Sequence, residues 1–363
     1  MPADHAARRA RLRALLDGAG VRSLLVTDLL NIRYLTGFTG SNAALLVDGA
    51  GDDRTVVCTD GRYVTQIAEQ VPGLRVEIAR GSARALIELA VAENVDSVGF
   101  ESHVVTVEQL EQWQALPGAV PLVPAPRLVE QLRMIKDEFE VGQLRAACAA
   151  ADAALADLIA RGGLRPGRTE REVGRELESL MLDHGANGIS FETIVAAGAN
   201  SAVPHHRPTD AVLADGDFVK LDFGAEVGGY HSDMTRTYVL GRAADWQREV
   251  YDLVAAAQAA GRAALAPGAL ARDVDAAARA VIVEAGHGEL FLHGLGHGVG
   301  LEIHEAPGIG QLGTGTLSVG EAVTVEPGVY FEGRGGVRIE DTLVVRDDEP
   351  ELLTLTTKEF TVV

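Results

Sequence analysis

Four acidic residues lie within or at the end of apolar runs typical of β-strands. They are Asp222 in KLDFG, Asp233 in YHSDMTRT, Glu326 in VEPG and Glu340 in VRIED. A buried, unpaired carboxylate is costly, so strands do not bury four of them without cations. His297, in GLGHGVG, adds an imidazole, and one imidazole with several oxygens suits divalent transition metals. The sequence therefore predicts a site for two metal ions.

Hairpin geometry supports a grouping of these acids in pairs. A hairpin centred between Val227 and Gly228 predicts that Asp222 lies opposite Asp233, because both are equidistant from that centre. Directly opposed residues share a face and lie about 5 Å apart at Cβ. Glu326 and Glu340 similarly flank the connection PGVYFEGRGGVR. The alternative is a surface hairpin with exposed acids.

An internal repeat precedes each pair of acids. The segment LRPGRTEREVGRELESLMLDHG at 164–185 aligns without gaps onto LAPGALARDVDAAARAVIVEAG at 265–286, with an offset of 101 and six identities in 22 positions. Each copy reads as a Pro-Gly turn and a helix that ends at a glycine. Chance recurrence of such turns is the alternative, but the shared order of helix, turn, helix and acid-bearing strands favours a duplication with a pseudo-twofold axis.

The first part of the chain alternates strand and helix patterns. VRSLLVTD, NAALLVDG and DRTVVCTDGRY predict strands, and 82–94 predicts a helix. PGAVPLVPAP then predicts a linker, followed by a long helical region that breaks near Asp137. We therefore predict an α/β (α+β) protein with one domain at 1–126 and a second at 127–363.

Several histidines are concentrated near the acids. Gly294, Gly296, Gly298 and Gly300 alternate with larger residues, so one strand face has no side chains and permits close approach of substrate or backbone. Spacing alone does not decide which histidine binds metal, and an ordinary hydrogen-bonded histidine is the alternative for each. The candidates are His205, His206, His231, His293, His297 and His304.

Composition excludes several classes of partner. Lys+Arg total 32 against Asp+Glu 52, a net charge of -20 that argues against nucleic acid and anionic membranes. No apolar stretch approaches the ~20 residues needed to span a bilayer, and the arginine-rich start reads as an ordinary helix ending at Gly18 or Gly20. Cys58 and Cys148 cannot form a disulfide framework. We expect a cytoplasmic protein.

The five residues and their contexts LDFG, SDMTRT, GHGVG, EPG and RIED resemble the dinuclear metallopeptidases of the pita-bread fold, peptidase family M24. The resemblance is to the proline-specific branch, Xaa-Pro aminopeptidase (aminopeptidase P) and Xaa-Pro dipeptidase (prolidase). YLTGFTGSNAALLV and TDGRY resemble the creatinase-type N-terminal domain. The resemblance implies a creatinase-like domain followed by a pita-bread catalytic domain.

The resemblance also implies ligand roles. Asp222 would bind one metal, His297 and Glu326 the other, and Asp233 and Glu340 both. A hydroxide held between the metals would attack the bond between an N-terminal residue and proline. Two divalent ions per chain are implied, most plausibly Mn²⁺, with Co²⁺, Zn²⁺ or Fe²⁺ as alternatives.

Further residues match catalytic and substrate positions of the family. Glu326 would transfer a proton to the leaving nitrogen, and His205 and His304 would orient the scissile bond. His293, Tyr330 and Arg338 match positions beside the substrate, and Arg338 could pair with a ligand carboxylate. Small peptides with proline second are the implied substrates, and a homodimer is the implied assembly.

Three related functions remain as alternatives. Methionine aminopeptidases share the five ligands but lack this N-terminal domain and the Arg-Ile-Glu-Asp context. Creatinase shares both domains but works without metal and lacks the full ligand set. A non-catalytic peptide-binding protein on this fold would be expected to have lost ligands.

Overall fold

The computed structural model describes residues 3–118 and 120–363. The chain forms two compact units, Met1–Arg133 and Met134–Val363. Among the described residues, no helix is both long enough and apolar enough to cross a membrane. Cys58 and Cys148 are both buried and free.

The first unit is built on a six-stranded mixed sheet with the order β4-β3-β2-β1-β5-β6. Its strands are β1 (Ser23–Val26), β2 (Ala43–Asp48), β3 (Val56–Thr59), β4 (Arg75–Ile78), β5 (Val98–Phe100) and β6 (Leu122–Pro124). Its helices are α1 (His5–Leu16), α2 (Leu29–Thr36), α3 (Val64–Gln70), α4 (Ser82–Ala92), α5 (Val107–Gln114) and α6 (Leu128–Met134).

The predicted strands and the helix α4 of this unit are confirmed. The first helix ends at Leu16, slightly before the predicted glycine stop. The linker prediction was wrong in part, because β6 lies within the proline-rich segment and pairs in parallel with β5. Prolines are tolerated on an edge strand, where a missing N–H costs no ladder hydrogen bond. Proline content alone therefore did not identify a linker.

The second unit contains two helix pairs, which match the predicted repeat. They are α7 (Glu138–Ala160) with α8 (Glu170–Asp183), and α9 (Asp245–Ala264) with α10 (Ala271–Glu284). The helices α8 and α10 begin and end at the predicted offset of 101 residues. Gly167 and Gly268, in the two Pro-Gly turns, both have positive φ. Asp137 caps the N-terminus of α7, which confirms the predicted helix break.

Each helix pair packs on its own antiparallel sheet, in the orders β12-β9-β8 and β14-β13-β15-β18-β19. Leu158, Val173 and Leu221 belong to one core, and Val254, Ala278 and Val323 to the other. Two small sheets, β11-β10-β7 and β16-β17, complete the unit. The strands are β7 (Gly188–Ile189), β8 (Ile194–Ala197), β9 (Phe218–Phe223), β10 (Ala225–Val227), β11 (Tyr230–His231), β12 (Met234–Val239), β13 (Gly296–Gly298), β14 (Glu305–Ile309), β15 (Ala322–Val325), β16 (Gly328–Phe331), β17 (Gly335–Arg338), β18 (Asp341–Val344) and β19 (Glu351–Leu352).

The predicted register of the first hairpin was wrong by one residue at its centre. Gly228 and Gly229 both have positive φ, which a two-residue type I′ turn requires, and Val227 pairs with Tyr230 across them. Asp222 therefore lies opposite Thr235 and not opposite Asp233. The partner shifts by two positions, and since side chains alternate with period two, the shift keeps the same face.

Candidate metal centre

The four acids occupy matching places in the two halves of the second unit. Asp222 lies near the end of β9, and Glu326 directly follows β15, the central strand of the other half. Asp233 directly precedes β12, and Glu340 directly precedes β18. Each half therefore contributes one acid where a central strand ends and one where its neighbour begins.

The two halves meet along these strand ends. Glu340 N donates to the backbone oxygen of Thr235 at 3.1 Å, and Thr342 Oγ1 donates to the backbone oxygen of Asp233 at 2.8 Å. In the second half, Val325 pairs with Asp341, and the same register continues into β16 and β17. Glu326 therefore lies across from Glu340.

A cavity of about 270 Å³ opens where the acids converge. All five predicted metal ligands line it, together with His205 and His304. The lining residues are Phe191, Glu192, Ile194, His205, His206, Arg207, Asp222, Asp233, His297, Ile303, His304, Glu326 and Glu340.

Within this cavity, donor atoms of Asp233, His297 and Glu340 lie within 4.8 Å of one another. His297 Nε2 lies 3.5 Å from Asp233 Oδ2 and also 3.5 Å from Glu326 Oε1. Asp222 is on the same wall, but its Oδ2 accepts a hydrogen bond from Arg338. Three oxygen donors and one imidazole are therefore grouped closely enough to share a cation, with a fourth carboxylate beside them.

Strand β13 brings His297 close to the acids because it carries glycines on both sides. A Cβ on Gly296 would lie 2.1 Å from the Thr324 oxygen, and a Cβ on Gly298 would lie 2.2 Å from the Ala306 oxygen. The side-chain-free face is thus used for close backbone approach. His297 Nδ1 lies 2.9 Å from the Gly298 oxygen, which places a proton on Nδ1 and directs Nε2 toward the acids, where it could bind a cation once deprotonated.

The site accumulates more negative charge than its protein cations neutralise. Burial raises the pKa of Asp233 to about 6 and that of Glu326 to about 7. Burial and the neighbouring acids raise the pKa of Glu340 well above its usual value. Burial disfavours protonation of His297, but the hydrogen bond and charge of Asp233 outweigh it and raise the His297 pKa to about 9. Divalent cations would relieve this repulsion, so the donor set fits them.

Arg338 connects the acids to Tyr330. Its guanidinium is buried and donates to Asp222 and, through Nε at 3.0 Å, to Thr235 Oγ1. Thr235 Oγ1 in turn donates to Glu340 Oε2 at 2.7 Å. Arg338 Nη1 also donates to Tyr330 Oη at 2.9 Å. One arginine thereby orients two carboxylates and a phenol.

His293 and Tyr330 lie together beside this arginine. His293 Nε2 and Tyr330 Oη are 2.8 Å apart. Burial lowers the pKa of His293 to about 4, and the nearby Arg338 charge adds to this effect. Burial raises the pKa of Tyr330 to about 12. Both groups are therefore neutral at physiological pH and available as hydrogen-bond partners.

Of the remaining candidate histidines, His205 and His304 line the cavity, and among the residues that the structure describes neither is paired with a carboxylate. His304 packs edge-on against His297, with ring centroids 4.4 Å apart, and burial lowers its pKa. His205 is exposed at the cavity wall. His206 Nε2 lies 2.8 Å from Glu170 Oε2, and His231 Nδ1 lies 3.1 Å from Ser190 Oγ. The structure therefore separates candidates that spacing left equivalent.

Sequence reasoning missed several residues at the site. Phe191, Ile194 and Ile303 form apolar wall, and Thr235 joins Arg338 to Glu340. Isolated apolar residues in loops or strands and a threonine in a strand carry no distinctive sequence signal. The contacts of Thr235 with Arg338 and Glu340 join the two halves of the unit, so the register of its own hairpin does not reveal them.

The fold and the site define a metallopeptidase of a known class. The profile of metallopeptidase family M24 matches residues 142–347, and that of the creatinase/prolidase N-terminal domain matches residues 8–135. The chain belongs to metallopeptidase family M24. The predictions of family, of fold class and of an enzyme are confirmed.

Related proteins extend this similarity over the whole chain. An Xaa-Pro dipeptidase of Pyrococcus furiosus is 33% identical over 355 residues, 97% of this chain and 99% of that protein. The solved structure of an Xaa-Pro dipeptidase from Bacillus anthracis is 38% identical, with a TM-score of 0.94 and coverage of 99% and 100%. An X-Pro aminopeptidase from Thermotoga maritima is 32% identical, with a TM-score of 0.88 and coverage of 98% and 99%.

Proposed function

We propose that this chain is an Xaa-Pro dipeptidase that hydrolyses the peptide bond between an N-terminal residue and proline. The proposal is supported by relatives of this specificity that align over nearly the whole chain. The observation that carries it is the buried group of acids and His297 beside a small cavity. A cavity of this size suits a short peptide.

We propose that Asp222, Asp233, His297, Glu326 and Glu340 hold two divalent cations. The donor chemistry supports this, since buried carboxylates and a single imidazole suit Mn²⁺, Co²⁺, Fe²⁺ or Zn²⁺. Manganese is our first choice because the set is rich in oxygen. When bound, such cations lower the pKa of a coordinated water toward neutrality and supply the nucleophile.

The chain's own residues would complete the reaction. Glu326 would accept a proton from the attacking water at its carboxylate and pass it to the proline nitrogen as the bond breaks. His304 and His205 would donate hydrogen bonds to the scissile carbonyl oxygen, where negative charge develops. His293, Tyr330 and Arg338 would contact the proline side of the substrate, and Phe191 and Ile303 would exclude water.

A comparison of substrates tests this function. Purified protein with Mn²⁺ is incubated with Ala-Pro, Ala-Pro-Ala and Met-Ala-Ala, and released amino acids are quantified. We expect cleavage of Ala-Pro. Preference for Ala-Pro-Ala would identify an aminopeptidase P instead, and cleavage of Met-Ala-Ala alone would indicate methionine aminopeptidase specificity. Binding of these peptides without any cleavage would contradict the enzyme proposal.

Two further properties follow from the family resemblance. We propose that the protein is a homodimer, and that it works in a reducing compartment such as the cytoplasm, where its free cysteines persist. Sedimentation at micromolar concentration distinguishes a dimer from a monomer of 38.2 kDa.

A further inference from the structure

The segment that carries His205 to the cavity is held by buried charged groups. It consists of a 3-10 helix, Gly198–Ala202, followed by a loop that reaches Arg207. Ser201 Oγ accepts a hydrogen bond from Gly336 N at 2.9 Å and so attaches the helix to β17. The contacts of this segment with Lys220 and Arg338 are made by its backbone carbonyl groups.

Lys220 binds three of these carbonyl groups. Its Nζ lies 3.1 Å from the oxygen of Ser201, 2.7 Å from that of Val203 and 3.3 Å from that of Pro204. The residue is completely buried. These three carbonyl oxygens accept the N–H donors of the Lys220 amino group.

A buried lysine at this position is not explained by packing. Lys220 lies between Phe218 and Asp222 on the same face of β9. An aliphatic side chain would fill this space without the cost of removing an amino group from water. The chain has 32 basic residues, of which only Lys136, Lys220 and Lys358 are lysines. A lysine amino group is compact and presents its donors from a single nitrogen, which suits carbonyl groups that converge on one point.

The Pro204 carbonyl is also connected to the metal centre through Arg338. Its oxygen accepts a second hydrogen bond, at 3.1 Å, from Arg338 Nη1. The same guanidinium donates to Asp222. The residue before His205 is therefore held from two sides by buried basic side chains, Lys220 and Arg338, and Arg338 also orients an acid of the site.

Both ends of the segment are held by the buried carboxylate of Glu170. Glu170 at the start of α8 is completely buried, and its carboxylate accepts from Ala197 N, Asn200 Nδ2 and Thr209 N, each at 2.9 Å. Glu170 thus fixes where the segment begins and ends, while Lys220 fixes the turn between these points.

We propose that Lys220 is a positioning residue, which holds the carbonyl groups of Ser201, Val203 and Pro204 so that His205 faces the cavity. The consequence for catalysis rests on the role of His205 in the proposed function. The hydrogen bonds themselves do not depend on that role, so the two can be tested separately.

Hydrogen exchange tests the positioning directly. In Lys220→Met, we expect faster amide exchange in peptides that cover 198–207, with unchanged exchange in α10 and an unchanged metal content. Unchanged exchange in 198–207 would overturn the proposal whether or not the protein is active. Lys220→Gln, which keeps two donors, is used if the methionine variant does not fold.

Kinetics on Ala-Pro test whether Lys220 acts through His205. We expect Lys220→Met to lower kcat by roughly tenfold or more, since small displacements of a catalytic group are costly. The decrease in kcat caused by Lys220→Met should disappear when His205 is already replaced by alanine. It should persist when His304 is replaced by alanine instead. Equal factors in both backgrounds would contradict action through His205. Absence of wild-type turnover would instead count against the proposed function.

Discussion

Individual carboxylates at the metal centre favour the binding of cations but lower the stability of the metal-free protein. Burial raises the pKa of Asp233 and Glu340, so these groups destabilise the protein when no cation is present. An amide of the same shape removes the charge but keeps the packing. This separates the effect of a site residue on stability from its effect on metal binding.

We therefore predict opposite effects of Glu340→Gln with and without metal. In chelator at pH 8, the variant should be more stable than the wild type by on the order of 1 kcal/mol, because a buried charge is removed. With Mn²⁺ it should be less stable and inactive. Denaturant titrations under both conditions measure this. Lower stability in chelator would contradict our assignment of charge repulsion to this residue.

Arg338 gives a second prediction at this scale. Arg338→Lys keeps the charge but cannot donate to Asp222, Thr235 and Tyr330 together, so we expect kcat/KM on Ala-Pro to fall about a hundredfold. Arg334→Lys, an exposed neighbour in the same hairpin, is the control and should behave as wild type. Near-normal kinetics for Arg338→Lys would contradict the proposal that Arg338 orients these groups.

The acidic residues were predictable because a charge inside an apolar run is visible in the sequence. Thr235 and Lys220 were not, because their roles depend on atoms that only the tertiary structure brings near them. His205 and His206 show the same limit. They are adjacent in sequence and both line the cavity, yet the ring of His206 is held by Glu170 and that of His205 is exposed.

At the scale of elements, strand pairing controls the position of His297. A Cβ at Gly296 in β13 would lie 2.1 Å from the Thr324 oxygen, whereas one at Gly308 in β14 would have no atom within 4 Å. His297 pairs with Gly308 in the same ladder. The two glycines therefore form a matched pair for substitution.

We predict that Gly296→Ala destabilises the protein by about 1–3 kcal/mol and weakens metal binding, because the strands must separate. Gly308→Ala should change the free energy of unfolding little. Denaturant midpoints in chelator and calorimetric metal titrations measure the two effects. Equal destabilisation by both variants would mean that close backbone approach is not the cause.

Among the features of helices and strands, the register of the first hairpin was not predicted correctly from the sequence. Either Val227-Gly228 or Gly228-Gly229 could have been the turn centre, and only the positive φ of both glycines decides between them. The error left the acids on the correct face but with the wrong opposing residue. The helix pair α8 and α10 was predictable because Pro-Gly turns and glycine stops mark both copies.

For the whole molecule, metal binding should be linked to stability. A ligand that binds only the folded state adds about 2.7 kcal/mol at a hundred times its Kd. We predict a higher Tm with saturating Mn²⁺ than with chelator, and no such difference in an Asp233→Asn/Glu340→Gln variant. Scanning calorimetry measures both. A metal-dependent shift of equal size in the double variant would indicate binding elsewhere on this acidic protein.

The matching placement of acids in the two halves has a consequence for ancestry. Each half supplies one acid from its central strand and one from the neighbouring strand, so neither half holds the whole ligand set. A half-length precursor could have assembled such a centre only on the symmetry axis between two identical copies. Fusion of two such copies, as the repeat predicts, would have left each free to diverge, which is consistent with an imidazole donor, His297, on β13 of the second half.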